Sequence, residues 1–172
     1  ISSSGHLSIV NNLFKISEEG HMFFDVLLHL GTLASILIVY WQDIKEMFYE
    51  VISFVNLGPL AGQPREHYPQ ARTFIMIVMA TLPLFLILPI NDMIETLYYN
   101  NVFIGVAIIL TGCMLYVSDR MKAGKKTERS MTILDAIIIG LCQCVATIPG
   151  LSRSGTTITA GIATGLRRDF AV

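Results

Sequence analysis

The sequence has few charged residues, few cysteines and no extended basic patch, and each shortage excludes a class of protein. Only 15% of its 172 residues are charged and the formal net charge is -1, so nothing favours nucleic-acid binding. The three cysteines, Cys113, Cys142 and Cys144, lie in apolar segments without the spacing of a zinc or redox motif. The remaining composition, 53% hydrophobic with a mean hydropathy of +0.60, is typical of an integral membrane protein.

A polar cluster, PGLSRSGTTIT at 149–159, interrupts an otherwise apolar region. An ionisable group in such surroundings marks a functional site by default, and here that group is Arg153. Gly150 and Gly155 permit tight turns and close backbone approach. A helix beginning near Gly155 would direct free N–H groups at the same place, which predicts an anion site suited to phosphate. The alternative is that Arg153 only ties helices together through backbone carbonyls.

The hydropathy pattern predicts membrane-spanning helices at 22–41, 72–90 and 102–117. Pro83 and Pro89 are expected to kink or end the second of them. We expect polar connections at 11–21 and 42–72, and a short one at 91–101. Five cations fall between Arg120 and Arg129, so residues 118–130 are expected on the cytoplasmic side and 91–101 outside.

The last part of the chain predicts a re-entrant hairpin. Thr132 and Asp135 have the spacing of a capping box that opens a helix at the inner face. The apolar runs at 136–148 and 155–166 are each too short to cross a hydrocarbon core of ~30 Å. The turn between them is therefore expected near the bilayer midplane, facing a cavity within the protein.

The opening run, Ile1–His6, matches Leu151–Thr156 in the order apolar, Ser, Ser or Arg, Ser, Gly, polar. Two such turns entering from opposite sides would make an inverted repeat. The expected fold is an all-α polytopic membrane protein with re-entrant hairpins that meet near the midplane. We assign 1–117 to a partial first repeat, 118–130 to a basic loop and 131–172 to the start of the second repeat.

If the two turns meet, a joint site suited to phosphoryl transfer or hydrolysis results. Its members would be Ser3, His6, Ser152, Arg153 and Thr157. A histidine can serve as nucleophile or as general acid and base, and the arginine with helix N–H groups would stabilise charge on phosphate oxygens. His6 could instead be a helix-packing residue. Asp25 and His29, one helical turn apart, read either as a hydrogen-bonding pair between helices or as support for the site.

The chain resembles the undecaprenyl-diphosphate phosphatases, the bacitracin-resistance proteins of bacterial membranes. The resemblance covers essentially the whole chain. It is carried by ISSSGH at 1–6, by FDV at 24–26 with HLGTL at 29–33, and most specifically by PGLSRSGTT at 149–157. It implies hydrolysis of the diphosphate of the polyprenyl carrier lipid to the monophosphate, so that the lipid returns to cell-wall synthesis. It also implies a multi-pass protein of the bacterial inner membrane.

Carried over by position, the resemblance makes His6 and Ser3 the candidate catalytic residues. Ser152, Arg153 and Thr157 are the candidate phosphate-binding set, and supporting candidates are Asp25, His29, Ser154 and Gln143. The family's E-x-x-x-E motif is expected upstream of Ile1, in a longer protein of which this is an internal piece. A divalent cation, Mg²⁺ or Ca²⁺, would be held there, with no metal ligand in this chain. Expected partners are the polyprenyl diphosphate, the bilayer and, as an open option, a second copy in a homodimer.

Three other readings compete. A different lipid phosphatase class would need a histidine six residues after the arginine, where this chain has Thr159. A secondary transporter or lipid flippase would share crossed hairpins and an inverted repeat, but it would move its lipid without releasing phosphate. A membrane scaffold would leave an arginine buried in an apolar region unexplained.

Overall fold

The computed structural model describes residues 2–14, 18–54, 68–122 and 124–172. These ranges are mainly helical and contain no strand. The α-helices are α1 Ser3–Phe14, α2 Glu18–Val39, α3 Trp41–Phe54, α4 Pro69–Thr81, α5 Asn91–Thr96, α6 Asn101–Arg120, α7 Ile133–Val145, α8 Arg153–Ala163 and α9 Arg168–Ala171. Short 3₁₀ segments, Leu82–Leu86, Leu88–Ile90 and Leu97–Tyr99, lie between α4 and α6.

Two helical segments of the described chain are long and apolar enough to cross a membrane. They are Pro69–Ile90 and Asn101–Arg120, with hydropathies of 2.4 and 2.0. Only 6% of the first span is buried, so its apolar side chains face outward, as they would toward lipid. Val26–Val39 and Trp41–Phe54 pass the same test together but are bent by 75°. The prediction of an all-α polytopic membrane protein is confirmed.

The predicted polar connection at 42–72 is wrong for its first part, which is helix α3. Apolar side chains recur there at helical spacing, as at Ile44, Met47 and Val51, and they give the helix one apolar face. The charged residues on its other face lowered the average hydropathy and concealed the helix. Residues 55–67 of the predicted connection lie outside the described residues.

The other predicted boundaries differ by a few residues. The connection at 11–21 is shorter than predicted, because α1 continues to Phe14 and α2 begins at Glu18. The connection at 91–101 contains helix α5 and a 3₁₀ turn. The span predicted at 72–90 begins at Pro69, and it changes from α to 3₁₀ geometry at Leu82, beside Pro83.

The described chain forms two compact units, Ile1–Leu13 with Met76–Val172, and Phe14–Ile75. In the first unit α7 and α8 pack together, α8 also packs on α6, and α7 packs on the 3₁₀ segment Leu82–Leu86. In the second unit the Glu50 carboxylate accepts hydrogen bonds from the first backbone amides of α4, those of Gln70 and Ala71, at 2.7 and 3.1 Å. The predicted repeat boundaries stay a prediction.

Helices α7 and α8 form a hairpin. The start of α7 and the end of α8 both contact Lys126, which lies in the loop before α7. The capping box predicted at Thr132 is confirmed: its hydroxyl accepts from the Asp135 N–H at 3.2 Å, and its own N–H donates to the Asp135 carboxylate at 2.9 Å. The Lys126 ammonium contacts that carboxylate at 2.8 Å. The backbone of Lys126 also donates to the Gly165 carbonyl at 3.0 Å and accepts from the Arg167 N–H at 2.8 Å. The start of α7 and the end of α8 therefore lie side by side.

Candidate functional site

The turn between α7 and α8 ends in a serine cap. Ser152 is the N-cap of α8, and its hydroxyl accepts a hydrogen bond from the Gly155 N–H at 3.1 Å. The side chain is buried, with 2% of its surface exposed. Helix α8 therefore starts at Arg153, two residues before the start predicted near Gly155. The cap rather than the glycine sets the start, since it satisfies an amide that has no partner within the helix.

Helix α6 holds this turn in place. The Thr111 hydroxyl donates to the Gly150 carbonyl at 3.2 Å and accepts from the Ser152 N–H at 3.1 Å. Gly150 has φ +93°, and a Cβ there would lie 2.7 Å from the Ala107 Cβ and 2.8 Å from the Ile104 carbonyl oxygen. Only glycine fits this conformation and this space. Because Thr111 lies halfway along the candidate span Asn101–Arg120, the turn is level with the middle of that helix.

The first turn of the chain repeats the same local structure. Ser2 precedes α1, and its hydroxyl accepts from the Gly5 N–H at 3.3 Å, as Ser152 accepts from Gly155. Ser2 is also buried, with 4% of its surface exposed. The Nδ1 atom of His6 lies 2.7 Å from the Ser2 carbonyl oxygen. A carbonyl only accepts, so the Nδ1–H is the donor, and Nε2 takes no part in this hydrogen bond.

The two turns are in van der Waals contact. A Cβ on Gly5 would lie 2.9 Å from the Gly150 Cα and 3.4 Å from the Gly150 backbone nitrogen. Any larger residue at position 5 would push the turns apart. This contact brings the N-terminus of α1, with His6, against the turn that leads into Arg153.

The predicted phosphate-binding residues surround the start of α8 in different environments. Arg153 and Ser154 are exposed, whereas Ser152 is buried. The expectation of a buried Arg153 is wrong, because its side chain is exposed at the first position of α8. The Ser154 hydroxyl lies 3.3 Å from that of Ser152. The Thr157 hydroxyl donates to the backbone carbonyls of Arg153 and Ser154, both at 3.1 Å.

The supporting candidates Asp25 and His29 lie in α2, and Gln143 lies in α7. Asp25 and His29 belong to the other compact unit, and the site described here is built without them. His29 is exposed, and its carbonyl accepts from the Thr32 hydroxyl at 2.9 Å. Gln143 is half-buried in α7. Ile1 lies outside the described residues, as do the side chains of Ser3 and Asp25.

The base of the hairpin carries a buried carboxylate, that of Asp135, whose pKa is shifted. Burial acts to raise the pKa of Asp135, but hydrogen bonds from the Lys126 ammonium and from Thr132 outweigh it, so the pKa is lowered. Nearby, the Arg168 guanidinium donates to three carbonyls at the C-terminal end of α6, those of Ser118, Asp119 and Met121, at 2.9, 2.7 and 3.0 Å. The hairpin and the spanning helix α6 are thereby joined at their shared end.

The described residues do not form a metal site. No three side chains of His, Cys, Asp or Glu among them lie close enough together to hold an ion. The polar groups at the two turns are hydroxyls, an imidazole and a guanidinium, and these donors suit an anion better than Mg²⁺ or Ca²⁺. No chemical step is therefore assigned to a metal held by these residues.

Sequence reasoning missed two residues of this arrangement, Ser2 as a cap and Thr111 as an anchor. The cap had a local signal, because Ser2 and Ser152 each precede a glycine by three residues. Thr111 had none, since its partners lie 39 and 41 residues further along the chain. A lone threonine in an apolar helix carries no indication of such a contact.

The fold and the site together define a helical membrane protein in which two serine-capped helix ends meet beside an arginine. The family model for the bacitracin resistance protein BacA matches residues 1–172. The chain belongs to this family, as its sequence motifs predicted.

Relatives carrying the name undecaprenyl-diphosphatase match nearly the whole chain. One from Methanosphaera stadtmanae is 35% identical over 99% of this chain and 63% of its own length. One from Alkaliphilus metalliredigens is 34% identical over 99% and 62%. One from Pelotomaculum thermopropionicum is 38% identical over 99% and 61%. The chain thus spans less than two thirds of the length of the curated relatives it matches.

Proposed function

We propose that the full-length protein containing this chain is a membrane-bound undecaprenyl-diphosphate phosphatase. It would hydrolyse the polyprenyl diphosphate carrier to the monophosphate and inorganic phosphate. The observation that carries the proposal is the contact between Gly5 and Gly150, which joins a histidine-bearing helix start to an arginine-bearing one. Family membership and the relatives named undecaprenyl-diphosphatase support the same activity.

The start of α8 suits the terminal phosphate of the substrate. The amides of Arg153 and Ser154 are the first two of the helix and have no carbonyl partner within it. They lie at the positive end of the helix dipole, where anions are stabilised. The exposed guanidinium of Arg153 can add two parallel hydrogen bonds to phosphate oxygens. We assign charge stabilisation to these groups.

His6 suits proton transfer. Its Nδ1–H is held by the Ser2 carbonyl at 2.7 Å, which orients the ring and leaves Nε2 to accept a proton from an attacking water. The water oxygen would bond to the terminal phosphorus as the bridging P–O bond breaks. The products are the lipid monophosphate and inorganic phosphate. Ser3, which begins α1, remains a candidate for the attacking group.

The depth of the turn suits a lipid substrate. Thr111 ties Gly150 and Ser152 to the middle of a candidate membrane span. We infer that the α7–α8 hairpin is re-entrant, that the two turns belong to an inverted repeat, and that loop 118–130 is cytoplasmic. The proposed location is the bacterial inner membrane, where the monophosphate would return to peptidoglycan synthesis. The phosphatase activity itself would confer bacitracin resistance. A divalent cation and a homodimer also remain proposals for the full-length protein.

The test is phosphate release by the full-length protein, purified in detergent, from undecaprenyl diphosphate. The proposal is supported if phosphate release rises with enzyme concentration and occurs from the lipid diphosphate but not from the lipid monophosphate. Binding of the lipid without phosphate release would overturn it and favour a transporter or flippase. Parallel assays with Mg²⁺, with Ca²⁺ and with a chelator decide whether a divalent cation is needed.

A further inference from the structure

Thr111 makes a contact that the other helical threonines among the described residues do not make. The hydroxyls of Thr73, Thr81 and Thr159 each donate to the carbonyl four residues earlier in their own helix, which is the usual bond for a helical threonine. The hydroxyl of Thr111 instead crosses to another element, the turn before α8. It serves both a backbone acceptor, the Gly150 carbonyl, and a backbone donor, the Ser152 N–H.

The contact is buried and holds the turn at Gly150 and Ser152. Thr111 and Ser152 have 4% and 2% of their surfaces exposed. Gly150 has φ +93° and is packed against α6. Buried backbone groups need partners inside the protein, and at membrane depth water cannot replace them. Without the hydroxyl, the Gly150 carbonyl and the Ser152 N–H must find other partners, and the turn must rotate to do so.

We propose that Thr111 is a positioning residue for Arg153. It fixes the backbone of Gly150–Ser152, and the Ser152 cap then fixes the direction in which Arg153 leaves the helix. A small rotation of the cap moves a guanidinium at the end of a long side chain by several ångströms, enough to lose a two-pronged phosphate contact. The inference rests on the proposed function for its effect on turnover, but the contact itself can be measured without any activity.

The first experiment measures amide hydrogen exchange over residues 150–155 in the full-length protein in detergent. Thr111→Val removes the hydroxyl and keeps the shape, Thr111→Ser keeps the hydroxyl, and Thr81→Val is the matched control on a threonine bonded to its own helix. We expect exchange about 10-fold faster or more in Thr111→Val, and within about 3-fold of wild type in the other two. Equal exchange in Thr111→Val and wild type would overturn the proposal. Thr111→Ala takes the place of the valine variant if the latter does not fold.

The second experiment is a double-mutant cycle on phosphate release. We expect Thr111→Val to lower kcat about 10-fold, with Thr111→Ser within about 3-fold of wild type. In the Arg153→Lys background, where the guanidinium is already lost, removing the Thr111 hydroxyl should cost less than about 3-fold. Multiplicative losses would mean that Thr111 does not act through Arg153. If wild-type protein releases no phosphate, the proposed function fails, and the exchange measurement still decides whether Thr111 positions the turn.

Discussion

The two serine-capped turns share a backbone design but differ in what holds them. In each, a buried serine accepts the N–H of a glycine three residues later. A Cβ on Gly155 would meet the Leu115 side chain of α6 at 3.1 Å, whereas one on Gly5 would meet the Gly150 backbone at 2.9 Å. The second turn, which precedes α8, is thus anchored on α6. The first turn, which precedes α1, packs on the second turn. Substitutions in the second turn should therefore disturb the structure of both turns.

The chemistry of the two turns is complementary. The position after the glycine is His6 in the first turn and Thr156 in the second, while the position after the cap is Ser3 in the first and Arg153 in the second. One turn brings a group that can accept a proton, and the other brings a fixed positive charge. Neither turn holds both, which explains why the close approach at Gly5 and Gly150 matters to the proposed site.

The largest effect is expected from His6→Gln. The amide can keep a hydrogen bond to the Ser2 carbonyl but cannot take up a proton at neutral pH. Phosphate release should fall about 100-fold or more, measured with the full-length protein in detergent. His29→Gln, outside the described site, should lose less than about 10-fold. Equal losses in the two variants would remove His6 from its assigned role.

Gly150→Ala tests whether the second turn is the anchored one. The added methyl group would meet Ala107 and Ile104 of α6 in a conformation that alanine rarely adopts, so the free energy of unfolding should fall by about 2 kcal/mol or more. Gly112→Ala is the matched control on α6, since a Cβ there meets nothing within 4 Å. It should be neutral or stabilising by up to about 1 kcal/mol. Similar melting temperatures for the two variants would contradict the anchoring.

Arg153→Lys separates charge from geometry in the second turn. Lysine keeps the positive charge but loses the planar fork, so turnover should fall by at least about 10-fold. Arg120→Lys is the control, because that guanidinium lies 3.8 Å from the Tyr116 ring centre and outside both turns. Near-normal turnover of Arg153→Lys would show that no two-pronged phosphate contact exists.

The smallest effect concerns the base of the hairpin, away from both turns. The pKa of Asp135 is lowered from its ordinary value of 3.8. The stabilisation by this carboxylate is therefore full above that value and is lost as the pH falls through the lower folded pKa. Asp135→Asn should cost about 1 kcal/mol near pH 7, and its difference from wild type should shrink below about pH 4. Melting curves measured between about pH 3 and pH 7 test both the loss of stability near pH 7 and its decrease at low pH.

The control for that measurement is Asp119→Asn. Its carboxylate is 86% exposed and lies 3.4 Å from Arg168, so the change should stay within about 0.5 kcal/mol at any pH. If Asp119→Asn matched Asp135→Asn, the capping box would not be the source of the effect. Turnover should change little in both variants, since neither carboxylate lies at the turns.

Local signals made part of this molecule predictable. The capping box at Thr132 and Asp135 is visible in a stretch of four residues. The similarity of the two serine turns is visible in stretches of six residues. Helix α3 was missed because its polar face lowers the mean hydropathy, which is the signal used to recognise a membrane span. The helical spacing of its apolar residues was visible in the sequence. The cap at Ser152 had a local signal in its spacing to Gly155, but its anchoring by Thr111 depends on contacts with α6 that are distant in sequence.

The hydrogen bonds from Arg168 to the end of α6 bear on the order in which the chain is built. The carbonyls of Ser118, Asp119 and Met121 gain a donor from Arg168, which lies almost fifty positions later in the chain. During synthesis these carbonyls lack the Arg168 donor until the whole hairpin has emerged. Docking of the hairpin on α6 supplies that donor and also brings the Gly150 turn to Thr111.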